Sequence, residues 1–516
     1  MKKIYTILLV ACSLLGVSSC DSLDLVPESS IADSSYWQTN DQFSAFHTGI
    51  ASCFRKYSWD YFAFGEARSG FYGDAPFGGE ATQGYENLFY NTLSSTTPGI
   101  SNFGGLYYPI NQINLMIAKT EETTVLSDSD KNYYLGECYG LRAYLYFHLL
   151  RSYSDAIIYT AYTSGTTLDL GNMQRAQDPA ADVMEQIKSD ISASEAAFGN
   201  NYAFTKGKNF WSLGATKMLK GEVYLWSGKQ MNGGTSDYNT AKTALQEVGN
   251  CPGIALLDTY SDIFRFDNKK NDEIIFSIYN GEGETALLDG YWNSNFMPQQ
   301  AYMNNGSRYT EAGEEVSTTT DAQFNGLIRM PLKRKIFDQL YLDNDSRKRS
   351  NLRAVYTKDE DGNMVYEAAY PYKYQGTMVS GSSIRSMYDD YPVYRYADCL
   401  LLLAEVKALL GEDITTEINT IRKRAYGENY SDTVAYPNDK GDFYVDNEFV
   451  AGDEDPIEAV LKERLRELIF EGRRWYDIRL MNVAEKYSLA TSDRLLWPID
   501  ESTKTNNNQL KQTPGY

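Results

Sequence analysis

One stretch near the C-terminus, Glu458-Ala-Val-Leu-Lys-Glu-Arg-Leu-Arg-Glu-Leu-Ile-Phe-Glu-Gly-Arg-Arg-Trp-Tyr-Asp-Ile-Arg-Leu480, constrains the fold more than any other. Leu461, Leu465, Leu468 and Ile469 recur at helical spacing and draw one apolar stripe. The other faces are dense with charge. Glu463 with Arg466, Arg464 with Glu467 and Arg473 with Asp477 stand three or four apart, but such pairs on an exposed helix contribute only a few tenths of a kcal/mol each. So many arginines need another reason. A guanidinium is a planar fork that binds carboxylates and carbonyls on neighbouring elements, so the stretch reads as a clamp between packed elements, with Arg474 expected on a buried carboxylate. Gly472 marks a break or a close backbone approach.

Helical periodicity also appears near 41–55, 107–119, 129–152, 179–198, 211–227, 237–248, 395–410 and 414–425, and in the opening stretch near 456–485. Strand patterning is sparse. Three helices share a register: Gly136, Gly214 and Ala397 align, then Gly140, Met218 and Leu401, then Ala143, Gly221 and Ala404. Small residues seven apart let a neighbouring helix approach closely, as in tetratricopeptide repeats. Between the helices lie two segments without helical period, near 57–105 and 254–390, rich in Gly, Ser, Asn and aromatics. The second holds a hairpin signal at Asp361-Gly362, between alternating segments that run from Val355 to Tyr366. The fold class is therefore mainly α: tetratricopeptide-like helical repeats with long irregular insertions and a few short strands.

The run Glu463-Arg-Leu-Arg-Glu-Leu-Ile-Phe-Glu-Gly-Arg-Arg-Trp-Tyr-Asp-Ile-Arg479 resembles the signature of the SusD/RagB family, surface lipoproteins with which Bacteroidetes capture nutrients for an outer-membrane transporter. Tyr394-Arg-Tyr-Ala-Asp-Cys-Leu-Leu-Leu-Leu-Ala-Glu-Val406 is similar to a second motif of that family. The ending Leu496-Trp-Pro-Ile499 and Gln512-Thr-Pro-Gly-Tyr516 resembles a third, with Thr513 in place of the usual Asn. Weaker matches at Gly140–Phe147 and Asp272–Phe276 keep the same order, so the likeness runs nearly end to end. It implies a repeat-built protein that binds oligosaccharide or polysaccharide and delivers it to a SusC-like TonB-dependent transporter as the lid of that channel. A peptide-binding member of the same family is one alternative, and a secreted helical glycoside hydrolase is another.

The N-terminus reads as a secretory leader over 1–19: Lys2 and Lys3, an apolar centre, then Ser18-Ser19 before Cys20. Small residues ahead of a cysteine are what a lipoprotein signal peptidase requires, so Cys20 is the expected lipidation site, followed by a polar tether over 20–35 and a single body over 36–516. Several acyl chains hold where one does not. Of 516 residues 48 are Lys or Arg and 69 Asp or Glu, a net charge of −21 that the loss of two lysines with the leader makes more negative. Nucleic acid and anionic lipid are poor partners for such a surface. Cys53, Cys138, Cys251 and Cys399 lack metal spacing and read as buried small hydrophobes, with a disulfide as the alternative. His47 and His148 are the only histidines, which disfavours zinc and histidine-based triads, and neither a metal nor a cofactor is expected.

Tyrosine dominates the aromatics, 42 against 22 Phe and 7 Trp. Rings of this kind stack on the C–H faces of sugars while neighbouring polar groups meet the hydroxyls. Candidate ligand-binding residues are therefore Arg68, Phe71 and Tyr72, with Asp74, Phe77 and Tyr85 nearby, and Tyr291, Trp292 and Tyr302, with Asn293, Asn295, Gln299 and Gln300. The helical aromatics, Trp226 among them, belong to the core. No catalytic residue is assigned. Glu467 and Glu471 share a helical face, but the surrounding arginines would lower their pKa values and spoil a general acid. No phosphate loop, dinucleotide fingerprint or nucleophile elbow is present.

Overall fold

The computed structural model describes residues 36–74, 82–163, 174–284, 287–440 and 450–516. Cys20, the leader, the tether and Phe77 lie outside them. The main helices are α1 Asn40–Lys56, α2 Ser58–Glu66, α3 Tyr107–Glu122, α4 Asp128–Tyr153, α5 Ala180–Phe198, α6 Leu213–Gln230, α7 Gly234–Glu247, α8 Tyr396–Leu409, α9 Thr415–Tyr426, α10 Pro456–Leu468 and α11 Arg474–Leu480. Their starts are set locally. Thr39 and Gln42 form a capping box on α1, Ser127 and Ser212 cap α4 and α6, and Asp455 caps α10 ahead of Pro456.

Successive helices pack as pairs, α4 on α5 and α6 on α7, joined through α5 on α6, α7 on α8 and α8 on α10. The small residues of the shared register make this possible. A Cβ on Gly221 would stand 2.5 Å from Leu245 of the next helix, and one on Gly136 would stand 2.8 Å from the Phe198 ring. Strands are few and short, as expected. β1 (Ile274–Ile278) pairs antiparallel with β6 (Tyr391–Arg395), Ile278 opposite Tyr391, which delivers the chain straight into α8. β2 (Leu352–Lys358) and β3 (Met364–Pro371) form the hairpin, with Gly362 at φ +82° in its turn. β4 (Thr377–Met378) and β5 (Arg385–Ser386) form a third ribbon.

The helical period over 456–485 is interrupted where Gly472 marked a break: α10 stops at Leu468 and α11 starts at Arg474, with Phe470 and Gly472 both at positive φ. The cause is α2, which passes so closely that a Cβ on Gly65 would lie 1.8 Å from the Gly472 carbonyl oxygen. α2 itself falls inside a segment read as irregular. Every one of its residues is buried, so it has no polar face and shows no period.

The charged faces of α10 are buried too, and the clamp is real. Arg395, from the second motif, donates to Glu467 at 2.6 Å, Glu273 at 2.7 Å and Glu471 at 2.8 Å. Arg424 binds the same Glu467 and Glu273. Arg347 and Arg422 both reach Glu463, and Arg422 also grips Asp453 bidentately. Arg464 binds Asp398 and Asp477, while Arg473 binds Glu222 and Asp398. Partners thus come from other elements, not from positions three or four along the helix. Arg474, expected on a buried carboxylate, donates to the Leu461 carbonyl at 2.9 Å and stacks over Tyr487. The four body cysteines are free thiols, with Cys138, Cys251 and Cys399 buried and Cys53 half-buried.

Candidate functional site

Four of the residues expected on a ligand surface are fully buried. Arg68 donates to Asn91 and to the Leu496 carbonyl, each at 2.6 Å, and lies 4.5 Å above the Trp475 ring. It ties the chain's ending to the core, and burial pulls its pKa down to about 10. Phe71 and Tyr72 pack beneath Phe470 and Phe296, and Tyr72 bridges to Leu332. Trp292 sits among Phe296, Tyr374 and Phe470 with no exposed surface. A ring enclosed on all sides cannot stack on a ligand, so these four are corrected to structural roles. Tyr302 is half-buried: its hydroxyl donates to Glu367, and Arg308, itself bound to Glu367 at 2.7 Å, covers the ring at 4.0 Å.

Tyr291 is different. It is 43% exposed, and its inner face lies flat on Trp59 of α2, centroids 4.9 Å apart and planes 9° off parallel. Trp59 is only 5% exposed, so a buried indole holds the tyrosine in one orientation and leaves its outer face to solvent. Trp292, the next residue, anchors the same turn in the core. Tyr85 meets Trp59 edge-on at 6.5 Å and lines a cleft of about 300 Å³ whose polar side chains include Gln83 and Asn87. The Asn295 amide and the Arg329 guanidinium lie beside the Tyr85 hydroxyl and moderate the rise that burial gives its pKa. Asn295 is itself fully buried, so it supports Tyr85 from within and does not face a ligand. A stacked aromatic face next to the Gln83 and Asn87 amides and a guanidinium is the surface a pyranose ring fits. Sequence reasoning reached Tyr291 and Tyr85, placed Asn295 on a surface it lies beneath, and missed Trp59, hidden in a helix without period, and Arg329, Gln83 and Asn87, which carry no local signal.

The turn's two aromatics should separate stability from binding. Trp292→Ala is expected to cost about 3 kcal/mol of stability, as deletion of a large buried ring does. Tyr291→Ala removes a half-exposed ring and should move the melting temperature little. Equal losses of melting temperature in the two variants would contradict this placement.

The Glu467 and Glu471 pair is not poised as a general acid. Burial alone would raise Glu467 and Glu471, but Arg424, Arg395 and Arg347 hold Glu467 far below the usual carboxylate range, and Arg395 with Lys373 lowers Glu471. Neither carries a proton to give near neutrality. Among the described residues no group of three or more His, Cys, Asp or Glu side chains is placed to hold a metal ion. No described helix is long and apolar enough to cross a membrane.

Residues 259–490 match the profile of the SusD family, and residues 80–209 match one described as starch-binding associating with outer membrane. A solved structure of NanU from B. fragilis is 54% identical, covers 95% of this chain and 99% of its own, and superposes with a TM-score of 0.91. A SusD superfamily protein from Bacteroides vulgatus is 51% identical over 93% of this chain and all of its own, with a TM-score of 0.89. SusD-like protein P38 of Formosa agariphila is 26% identical across the whole of this chain and 99% of its own. A laminarin-binding SusD-like protein shares the fold at 20% identity, with a TM-score of 0.68 over 93% of this chain.

Proposed function

The chain belongs to the SusD family, and on that premise we propose that it is a cell-surface binding protein that captures oligosaccharide or polysaccharide at the outer membrane. The family binds carbohydrate and is not catalytic, and the protein is not an enzyme. The observation that carries the reading is the Tyr291 ring, backed by Trp59, beside Tyr85 and its amide-lined cleft. That arrangement offers a flat aromatic face with hydrogen-bonding groups at its edge, as sugar stacking requires. A partner named for laminarin in a protein of the same fold, and a family profile named for starch, support a glycan ligand. The bound glycan then passes to a SusC-like TonB-dependent transporter, which the protein covers as a lid.

Residues 1–19 act as the leader, 20–35 as the lipidated tether and 36–516 as one body. Cys20 supplies the membrane attachment. Cys20→Ala should leave a folded protein that partitions into the aqueous phase after detergent separation, and retention in the detergent phase would contradict the anchor. The ligand class is tested by titrating the purified protein against starch, laminarin and other oligosaccharides beside a panel of peptides. Heat on mixing with a saccharide supports the reading. Heat with peptides alone overturns it in favour of peptide capture.

A further inference from the structure

A second cavity shares no residue with the Tyr291 platform. It encloses about 460 Å³, the size of small-molecule sites, between the 261–267 turn and the β4–β5 ribbon. Asp389 lines it and is 1% exposed. Its Oδ2 accepts from the Gly376 N–H at 2.7 Å, while Oδ1 is buried with no hydrogen-bond partner. Buried carboxylate oxygens are rarely left this way, because an unmet acceptor costs the folded state its desolvation.

The charges around the cavity are already engaged. Lys373 donates to Glu471 at 2.7 Å, Arg265 pairs with Asp262 and Asp267, and Arg385 donates to the carbonyls of Gln375 and Gly376 and to Gln323. An anion would meet Asp262, Asp267 and Asp389, and a cation would meet Arg265, Arg385 and Lys373. The side chains of Ser261, Gln375 and Thr377, by contrast, are neutral donors and acceptors on the wall. Phe266, 38% exposed, adds an apolar face. Burial pushes the Asp389 carboxyl up to about 7, so near neutral pH it both accepts and donates, and a hydroxyl can meet either form.

We propose that this cleft is a second saccharide site, taking a neutral sugar ring with a hydroxyl on Asp389 Oδ1 and a C–H face against Phe266. The inference rests on the reading that the protein binds glycan, but its residues and its test are separate. The purified protein and its Tyr291→Ala variant would be titrated with glucose, galactose and N-acetylglucosamine, followed by ligand-observed NMR. One of these sugars should still bind when Tyr291 is removed, and adding Phe266→Ala should weaken that binding by about tenfold or more. Asp389→Ala, which removes both oxygens, should do the same, and Phe266→Ala, at a partly exposed position, serves if the buried variant does not fold. Loss of all binding with Tyr291→Ala alone overturns the second site and leaves the platform standing. Failure of the unmodified protein to bind any saccharide overturns both.

Discussion

Arg395→Ala is expected to destabilise the protein by about 5 kcal/mol or more, because removing one partner of a buried ion cluster leaves the others charged and unanswered. Here one guanidinium answers Glu273, Glu467 and Glu471 together, and all four side chains are at most 4% exposed. The expected result is a protein that melts far below the parent or does not accumulate. The acid limb carries a second signature. Glu463, held at about 2 by Arg347, Arg422 and Arg466 against the effect of burial, has a folded pKa below its ordinary 4.5. Its contribution is therefore present above the ordinary value and is lost as pH falls toward 2. Without Arg395, Glu467 and Glu471 titrate at higher pH, so acid unfolding should begin earlier. Asp60 and Glu66 act in the opposite sense. Burial raises them to about 7 and about 8, so the folded chain keeps protons the unfolded chain has lost, and stability falls as pH rises through that range. Chemical denaturation between pH 3 and 9 should show a maximum near about pH 5. A flat profile, or an Arg395→Ala variant as stable as the parent, would show the network to be inert.

Gly65→Ala should cost more than about 4 kcal/mol, a loss that few single substitutions reach. The added methyl would lie 1.8 Å from the Gly472 carbonyl oxygen and 2.6 Å from its carbon, and backbone atoms cannot rotate away as a side chain can. Relief would require α2 to part from the turn between α10 and α11, where Glu66 accepts the Phe470 N–H at 2.9 Å. Gly49→Ala in α1 is the control. Its Cβ would meet nothing within 4 Å, so the helix should gain up to about 1 kcal/mol from the better helix former. Similar melting temperatures for the two variants would contradict the close crossing.

How much of this could be read beforehand depends on the element. α4, α6 and α8 carry the small residues of their shared register openly, and neighbouring helices fit into the gaps at Gly136 and Gly221. The arginines of α10 signalled a clamp because no exposed pair explains their number, but Asp398, which Arg464 binds, and Asp439, which Arg466 binds, lie far off in sequence, and no local pattern names them. α2 was hidden by its own burial. The site was legible only by composition: Tyr291 and Trp292 are adjacent and equally aromatic, and only the path of the turn sends one ring outward and the other into the core. Arg68 drew attention as a charge among aromatics, when its donors serve backbone carbonyls at the chain's end.

The account turns on whether glycan is held on the Tyr291 face. Calorimetric titration of the parent protein and of Tyr291→Ala, with the oligosaccharide that the parent binds best, asks this directly. The account predicts that Tyr291→Ala melts within a degree or two of the parent yet loses about 2 kcal/mol of binding, roughly thirtyfold in affinity. Unchanged affinity in a fully folded Tyr291→Ala protein would contradict it.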